Sequence, residues 1–275
     1  MNGANESYQK WMVVVRQFSY RWVALASAVI FLNGCAKKDD AYVERSVGDL
    51  YGEAMDHMGE NKFKKAVKSF DEVERQHPYS PWAAKAMLMS AYANFQLREY
   101  DKAIGSLESF IQLHPGHEDI SYAYYMLALN YYDRISSIDH DQLMTQKAEK
   151  ALGELMRRYP DTPYAKDARL KMALVRDHLA GKSLDVGRYY LKTDAPLAAV
   201  PRFRKVVDQY HDTGAIEEAL YRLTECYIIV GMKEEALAAA AVLGHNYPGS
   251  LWYKDAYNFL SKHAPELLTL EKPAT

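Results

Sequence analysis

The chain has 275 residues, about half of them hydrophobic and a quarter charged, with a formal net charge of −2 and a pI near 6.5. That is an ordinary globular composition, and it lacks the global basic field expected of a nucleic-acid-binding protein. Tyrosine is abundant (22) and proline sparse (10), which favours packed helices over disorder.

The first element is an apolar segment, Trp22 to Leu32, free of charge and too short for a spanning helix, which needs roughly 20 residues. Preceded by Arg16 and Arg21, it reads as a signal-peptide h-region with its positive n-region. The n-region is long, and a start at Met12 instead of Met1 gives a more compact signal. Leu32-Asn33-Gly34-Cys35 then resembles the lipobox of bacterial lipoproteins, with Asn33 as a departure from the usual small or β-branched residue. The resemblance implies cleavage between Gly34 and Cys35 and acylation of Cys35. A secretory signal that happens to carry a cysteine, or an uncleaved anchor, are the alternatives. Residues 1–34 are therefore expected to be the signal, and 35–45 a lipidated N-terminus and polar tether. The second cysteine, Cys226, sits in an apolar helical stretch and reads as a small buried hydrophobe. With Cys35 acylated, no disulfide is expected.

Beyond the tether one pattern recurs five times. Alanines 66, 103, 148, 199 and 236 are each followed, at +4 and +7, by apolar residues: Phe70 and Val73, Leu107 and Phe110, Leu152 and Leu155, Phe203 and Val206, Ala240 and Leu243. At +11 stand His77, His114, Tyr159, Tyr210 and Tyr247, and at +12 a proline in every copy except the fourth, which has His211. Such offsets share one helical face, the alanine allows close crossing, and the proline ends the helix. Ser80-Pro81 and Thr162-Pro163 then start new helices with an N-cap and proline at N1. A further helix precedes each of these, as Trp82–Phe95 precedes Lys102–Leu113. The unit is a helix–turn–helix of about 34–37 residues, the period of tetratricopeptide repeats. The fold class is thus all-α: an α-solenoid of five tetratricopeptide-like helix–turn–helix repeats with a C-terminal capping helix, Trp252–Lys262. Two longer intervals imply insertions at Asp133–Met144 and Lys182–Asp194.

Catalytic signatures are missing: there is no GxSxG, Walker loop, HExxH or GxGxxG. The histidines are scattered, so neither a metal site nor a cofactor is expected. Asp39-Asp40 and Glu217-Glu218 read as solvated or as favourable charge near a helix N-terminus. Aromatics are the remaining signal. Tyr122, Tyr124, Tyr125, Tyr131 and Tyr132 crowd one helix, more than one neighbour can bury. Either they are repeat filling, or some of Tyr79, Trp82, Tyr92 and Tyr124 line a peptide groove.

The blocks AVKSFDEVERQHPYSPWA (66–83), DHDQ (139–142), YPDTPYAKDA (159–168) and RDHLAGKSLDVGRYYLK (176–192) running into AAVPRFRKVVDQY (198–210) resemble the BamD family, lipoproteins of the outer-membrane β-barrel assembly machinery. The segment with Leu179, Ala180, Val186, Tyr189 and Tyr190 sets this family apart from generic repeats. The resemblance implies a non-enzymatic, lipid-anchored scaffold on the periplasmic face of the outer membrane. Its N-terminal repeats (46–130) would receive unfolded barrel precursors. Its C-terminal repeats and cap (131–275) would hold the POTRA region of the barrel component BamA, with other machinery lipoproteins alongside. Arg202 falls where the family places an arginine that pairs with an acidic POTRA residue; Arg204, Tyr189 and Tyr190 join the same expected surface. Pro201 and His211 put the local helix geometry in question. The competing readings are another repeat lipoprotein, such as a pilotin for secretin or pilus assembly or a periplasmic cell-division coordinator. A repeat-bearing lytic transglycosylase would need a catalytic domain for which the chain has no room.

Overall fold

The computed structural model describes residues 44–269, and from Arg45 onward they belong to one compact unit. The expected signal, Gly34, Cys35 and most of the tether lie outside the described residues, as do residues 270–275. Among the described residues the secondary structure is helical throughout: α1 Val47–Gly59, α2 Phe63–Gln76, α3 Pro81–Gln96, α4 Tyr100–Leu113, α5 Ile120–Tyr132, α6 Leu143–Arg158, α7 Pro163–Lys192, α8 Pro196–Gln209, α9 Ile216–Ile229, α10 Lys233–Asn246, α11 Leu251–His263 and α12 Pro265–Thr269.

Consecutive helices pack pairwise, and first helices also meet the first helices of the next unit: α1 with α3, α3 with α5, α5 with α7, α9 with α11. This is the stacking of a five-unit solenoid, in which each unit buries its apolar face only against its neighbours. The anchor alanines at 66, 103, 148, 199 and 236 are completely buried, together with Phe70, Leu107, Leu152 and Phe203 four residues on. The +11 residues act as C-caps: His77, His114, Tyr159, Tyr210 and Tyr247 each leave the helical region and donate their N–H to the carbonyl of the +7 residue. Their own carbonyls then accept an N–H from the next turn, at Ser80, His117, Thr162, Thr213 and Ser250. One repeat position thus closes one helix and aims the chain into the next.

The starts follow the sequence logic. Ser80 Oγ accepts from Trp82 N–H at 3.2 Å, Thr162 Oγ1 from Ala165 at 3.2 Å and Ser250 Oγ from Trp252 at 3.1 Å. Within units, the tight turn between first and second helix uses a left-handed residue: Asn61, Arg98, Asp194 and Gly231. The third unit replaces that turn with the 133–142 loop.

At two places the structure differs from the sequence expectation. The extra length expected at Lys182–Asp194 is not an added loop: through Lys192 it continues α7, which runs for 30 residues and packs on α8, and Thr193 and Asp194 form the turn that follows. The fourth unit also ends its second helix normally without a proline at 211. Arg176 takes over: its guanidinium donates to the Gln209 carbonyl and to Asp212 (3.0 and 3.1 Å) and lies 5.2 Å from the Tyr210 ring. That contact holds the Asp212 carboxyl below the usual carboxylate range. Pro201 sits inside α8 without breaking it.

Candidate functional sites

The first surface runs across the first helices of four consecutive units. Tyr51 of α1, Lys85, Leu88 and Met89 of α3, Tyr122 of α5 and Tyr164 of α7 line a cleft of about 320 Å³. Its floor is aromatic: Tyr51 meets Trp82 edge-on at 4.8 Å, and Tyr164 packs on Tyr122 (5.5 Å) and stacks on Tyr125 (5.2 Å). Tyr125 donates its hydroxyl to Asp167 at 2.6 Å, and Lys171 reaches the same carboxylate oxygen at 2.8 Å. These bonds fix the rings, and burial pushes the Tyr122 hydroxyl up to about 12. Tyr122 is therefore a neutral phenol in an apolar wall, with Lys85 and Asp119 at its edge. Such a wall can take apolar side chains while its polar tips hold a backbone.

Of the aromatics singled out by sequence, Trp82 and Tyr92 share this side of α3. Tyr79 is wholly exposed in the turn before α3. Tyr124 points elsewhere: on the opposite face of α5 it packs on Tyr159 at 5.5 Å under Arg158, and with Leu127, Tyr131 and Lys147 it lines a separate cleft of about 400 Å³. Tyr51 and Tyr164 escaped the sequence reading, because their partners across the cleft, Trp82 and Tyr122, belong to other units. None of the five tyrosines of α5 is fully buried.

The second surface lies where α7 outruns its neighbours. Arg202 and Arg204 project from α8, both exposed. Arg204 reaches Asp208 at 4.0 Å, while Arg202 has no ion pair or hydrogen bond among the described residues. Arg202 lines a cleft of about 410 Å³ with Lys205, with Leu179, Lys182 and Val186 of α7, and with the 139–142 turn. Tyr189, well exposed, and Tyr190, half-buried against the core, stand 5.8 Å apart further along α7 and take no part in lining that cleft.

Two contacts hold this region in place. Gly187 faces the buried Phe203 ring so closely that a Cβ there would fall 2.6 Å from Cζ and 2.9 Å from Cδ1. Next to it, Arg188 grips Glu218 of α9 through both carboxylate oxygens, one at 2.7 Å, and Arg222 approaches the same carboxylate at 3.5 Å. Arg222 continues to Glu225 at 2.9 Å and lies over the Tyr221 and Trp252 rings, which stack at 5.5 Å. Glu218 is thus a buried, paired carboxylate; it does sit in the first turn of α9 as expected, but it is not solvated. The pairing holds Arg188 more firmly protonated than usual.

Cys226 is fully buried and its thiol is pushed up to about 12 by burial, so it is a packed hydrophobe and no nucleophile. Among these residues no group of three or more His, Cys, Asp or Glu is placed to hold a metal ion, and no helix is long and apolar enough to cross a membrane.

A solenoid of five tetratricopeptide-like units with two groove-bearing surfaces places the chain in the class of tetratricopeptide-like repeat proteins. Within that class the kinship is specific. The profile of an outer membrane lipoprotein family, YfiO, matches residues 43–243, and the chain belongs to this family. It is 44% identical over 240 residues to the outer membrane protein assembly factor BamD of Caulobacter vibrioides, covering 87% of this chain and 79% of that one. It is 42% identical to the BamD of Rickettsia prowazekii, covering 87% and 96%. Among solved structures it is similar to a thermophilic TPR protein of Thermus thermophilus, with a TM-score of 0.37 and 17% identity over 78% of this chain and 98% of the other.

Proposed function

We propose that this chain is an outer membrane protein assembly factor: a non-enzymatic scaffold, tethered to the outer membrane by acylated Cys35 and facing the periplasm. The observation that carries this reading is the relationship to BamD proteins, which extends over 87% of the chain. In this account the aromatic cleft of α1, α3, α5 and α7 receives extended segments of unfolded barrel precursors. The α7–α8 surface around Arg202 holds the POTRA region of a BamA-like barrel protein, and other machinery lipoproteins share the C-terminal units.

The physics suits both tasks. An aromatic wall with neutral hydroxyls binds many apolar sequences without demanding one, as a receptor for varied precursors must. An exposed arginine with no ion pair or hydrogen bond among the described residues meets an acidic side chain without first breaking one of those bonds. Two or three acyl chains, at about 0.8 kcal/mol per buried methylene, anchor essentially permanently where one holds weakly.

Reversing Arg202 to glutamate is expected to weaken binding to a POTRA-bearing barrel protein by roughly tenfold or more while leaving the helical signal and melting temperature unchanged. Titration of the two purified proteins at low and moderate salt measures this; unchanged affinity would remove Arg202 from the contact. Cys35→Ala is expected to yield a folded protein that leaves the outer-membrane fraction and takes up no palmitate label. Palmitate labelling that persists in the variant would overturn the anchor.

A further inference from the structure

The two places where the chain exceeds the plain repeat meet in space. The 133–142 loop between α5 and α6 lies against the extended part of α7, with Ile138 Cγ2 3.8 Å from where a Cβ on Gly181 would stand. The loop is a built feature. Gln142, buried, donates its amide to the carbonyls of Ser137 (3.2 Å) and His140 (3.0 Å) and accepts from the Thr145 hydroxyl (2.9 Å). Asp141 accepts from the Leu143 N–H at 3.0 Å, and Lys182 of α7 donates to the Asp139 carbonyl at 3.2 Å. What this scaffolding presents is the Asp139 carboxylate, exposed and without a partner among the described residues. It lines the same cleft as the equally unpartnered Arg202.

We propose that the 139–142 turn is the second half of the partner dock, so that the cleft reads two charges of opposite sign. Arg202 takes an acidic side chain and Asp139 a basic one from the same partner surface. This rests on the reading of Arg202 as a partner contact and adds to it the residue that sets specificity. A simple anion is a poorer fit for the cleft. Lys182 is committed to the Asp139 carbonyl, and Lys205 lies 5.8 Å from the Tyr210 ring. The carboxylates of Asp139 and Asp141 oppose any ligand that brings negative charge alone. A surface with an acid beside a base satisfies both walls, and a surface of one sign is repelled by one of them. Gln142 is the positioning residue, since its amide holds the turn in the shape that presents Asp139.

The test is binding of the full acylated chain, in detergent, to a purified POTRA-bearing barrel protein. Asp139→Lys, Arg202→Glu and the wild type are compared, with melting temperature as the control for folding. Both variants are expected to bind roughly tenfold or more weakly at unchanged melting temperature. Wild-type affinity for Asp139→Lys with loss for Arg202→Glu would overturn the two-charge dock and leave Arg202 as the contact. Wild-type affinity for both would overturn the partner surface itself. Gln142→Ala is expected to reproduce part of the Asp139→Lys loss, and Gln142→Glu to do no better, because its carboxylate sets an acceptor against the Ser137 and His140 carbonyls.

Discussion

Phe203→Ala is expected to lower the free energy of unfolding by about 3–5 kcal/mol, the cost of emptying a large aromatic site in a close-packed core. Phe203 is completely buried and occupies the +4 position of the fourth unit, where α8 meets α7. Its ring lies against the backbone at Gly187, so truncation leaves a void bordered by main chain, which relaxes less readily than side chains. The neighbouring residue is Arg202, and the same substitution should therefore loosen the geometry of the partner surface. Urea denaturation followed by far-UV circular dichroism measures the effect. A loss under about 1 kcal/mol would mean that the site collapses freely and that the contact does not organise this end of the solenoid.

Gly187→Ala should destabilise by about 1–3 kcal/mol, which is the opposite fault, overpacking. A methyl group there overlaps the Phe203 ring, and both residues lie on buried, mutually packed faces of α7 and α8. The two effects are expected to be coupled: Gly187→Ala combined with Phe203→Leu should cost less than the sum of the single changes, because the smaller side chain vacates the space the methyl needs. Strict additivity of the pair would show that α7 and α8 do not press on each other at this point.

Much of the fold was legible in the sequence because the second helices carry a rigid signature. An alanine that permits close crossing, large residues one and two turns later, a capping residue and a proline state where each helix packs and where it ends. The first helices, buried along more than one face, show weaker patterning. The long interval after Lys182 read as an insertion because repeat period alone cannot distinguish an extended helix from an added loop. Arg202 stood out by resemblance, but its surroundings did not. The cleft is assembled from residues 139–142, 179–186 and 202–205, which only folding brings together. Glu218 misled for a related reason: a glutamate in the first turn of a helix is commonly solvated, and its burial depends on Arg188, thirty residues upstream. Tyr124 was grouped with Trp82 and Tyr92 by crowding in the sequence, whereas helical phase places it on the other face of α5.

The two surfaces are joined by α7. Its start contributes Tyr164 to the aromatic cleft, and its end contributes Gly187 and Arg188 to the packing that supports Arg202. A single helix of 30 residues thus reaches from the proposed precursor site to the proposed partner site.

The most direct test of that account is affinity purification of the tagged full-length chain from detergent-solubilised outer membranes, with the bound proteins identified by mass spectrometry. A barrel protein with POTRA domains, recovered in near-equal amount with the wild type and depleted with Arg202→Glu, is the predicted result. Recovery of secretin or pilus components in its place would contradict the assignment to barrel assembly.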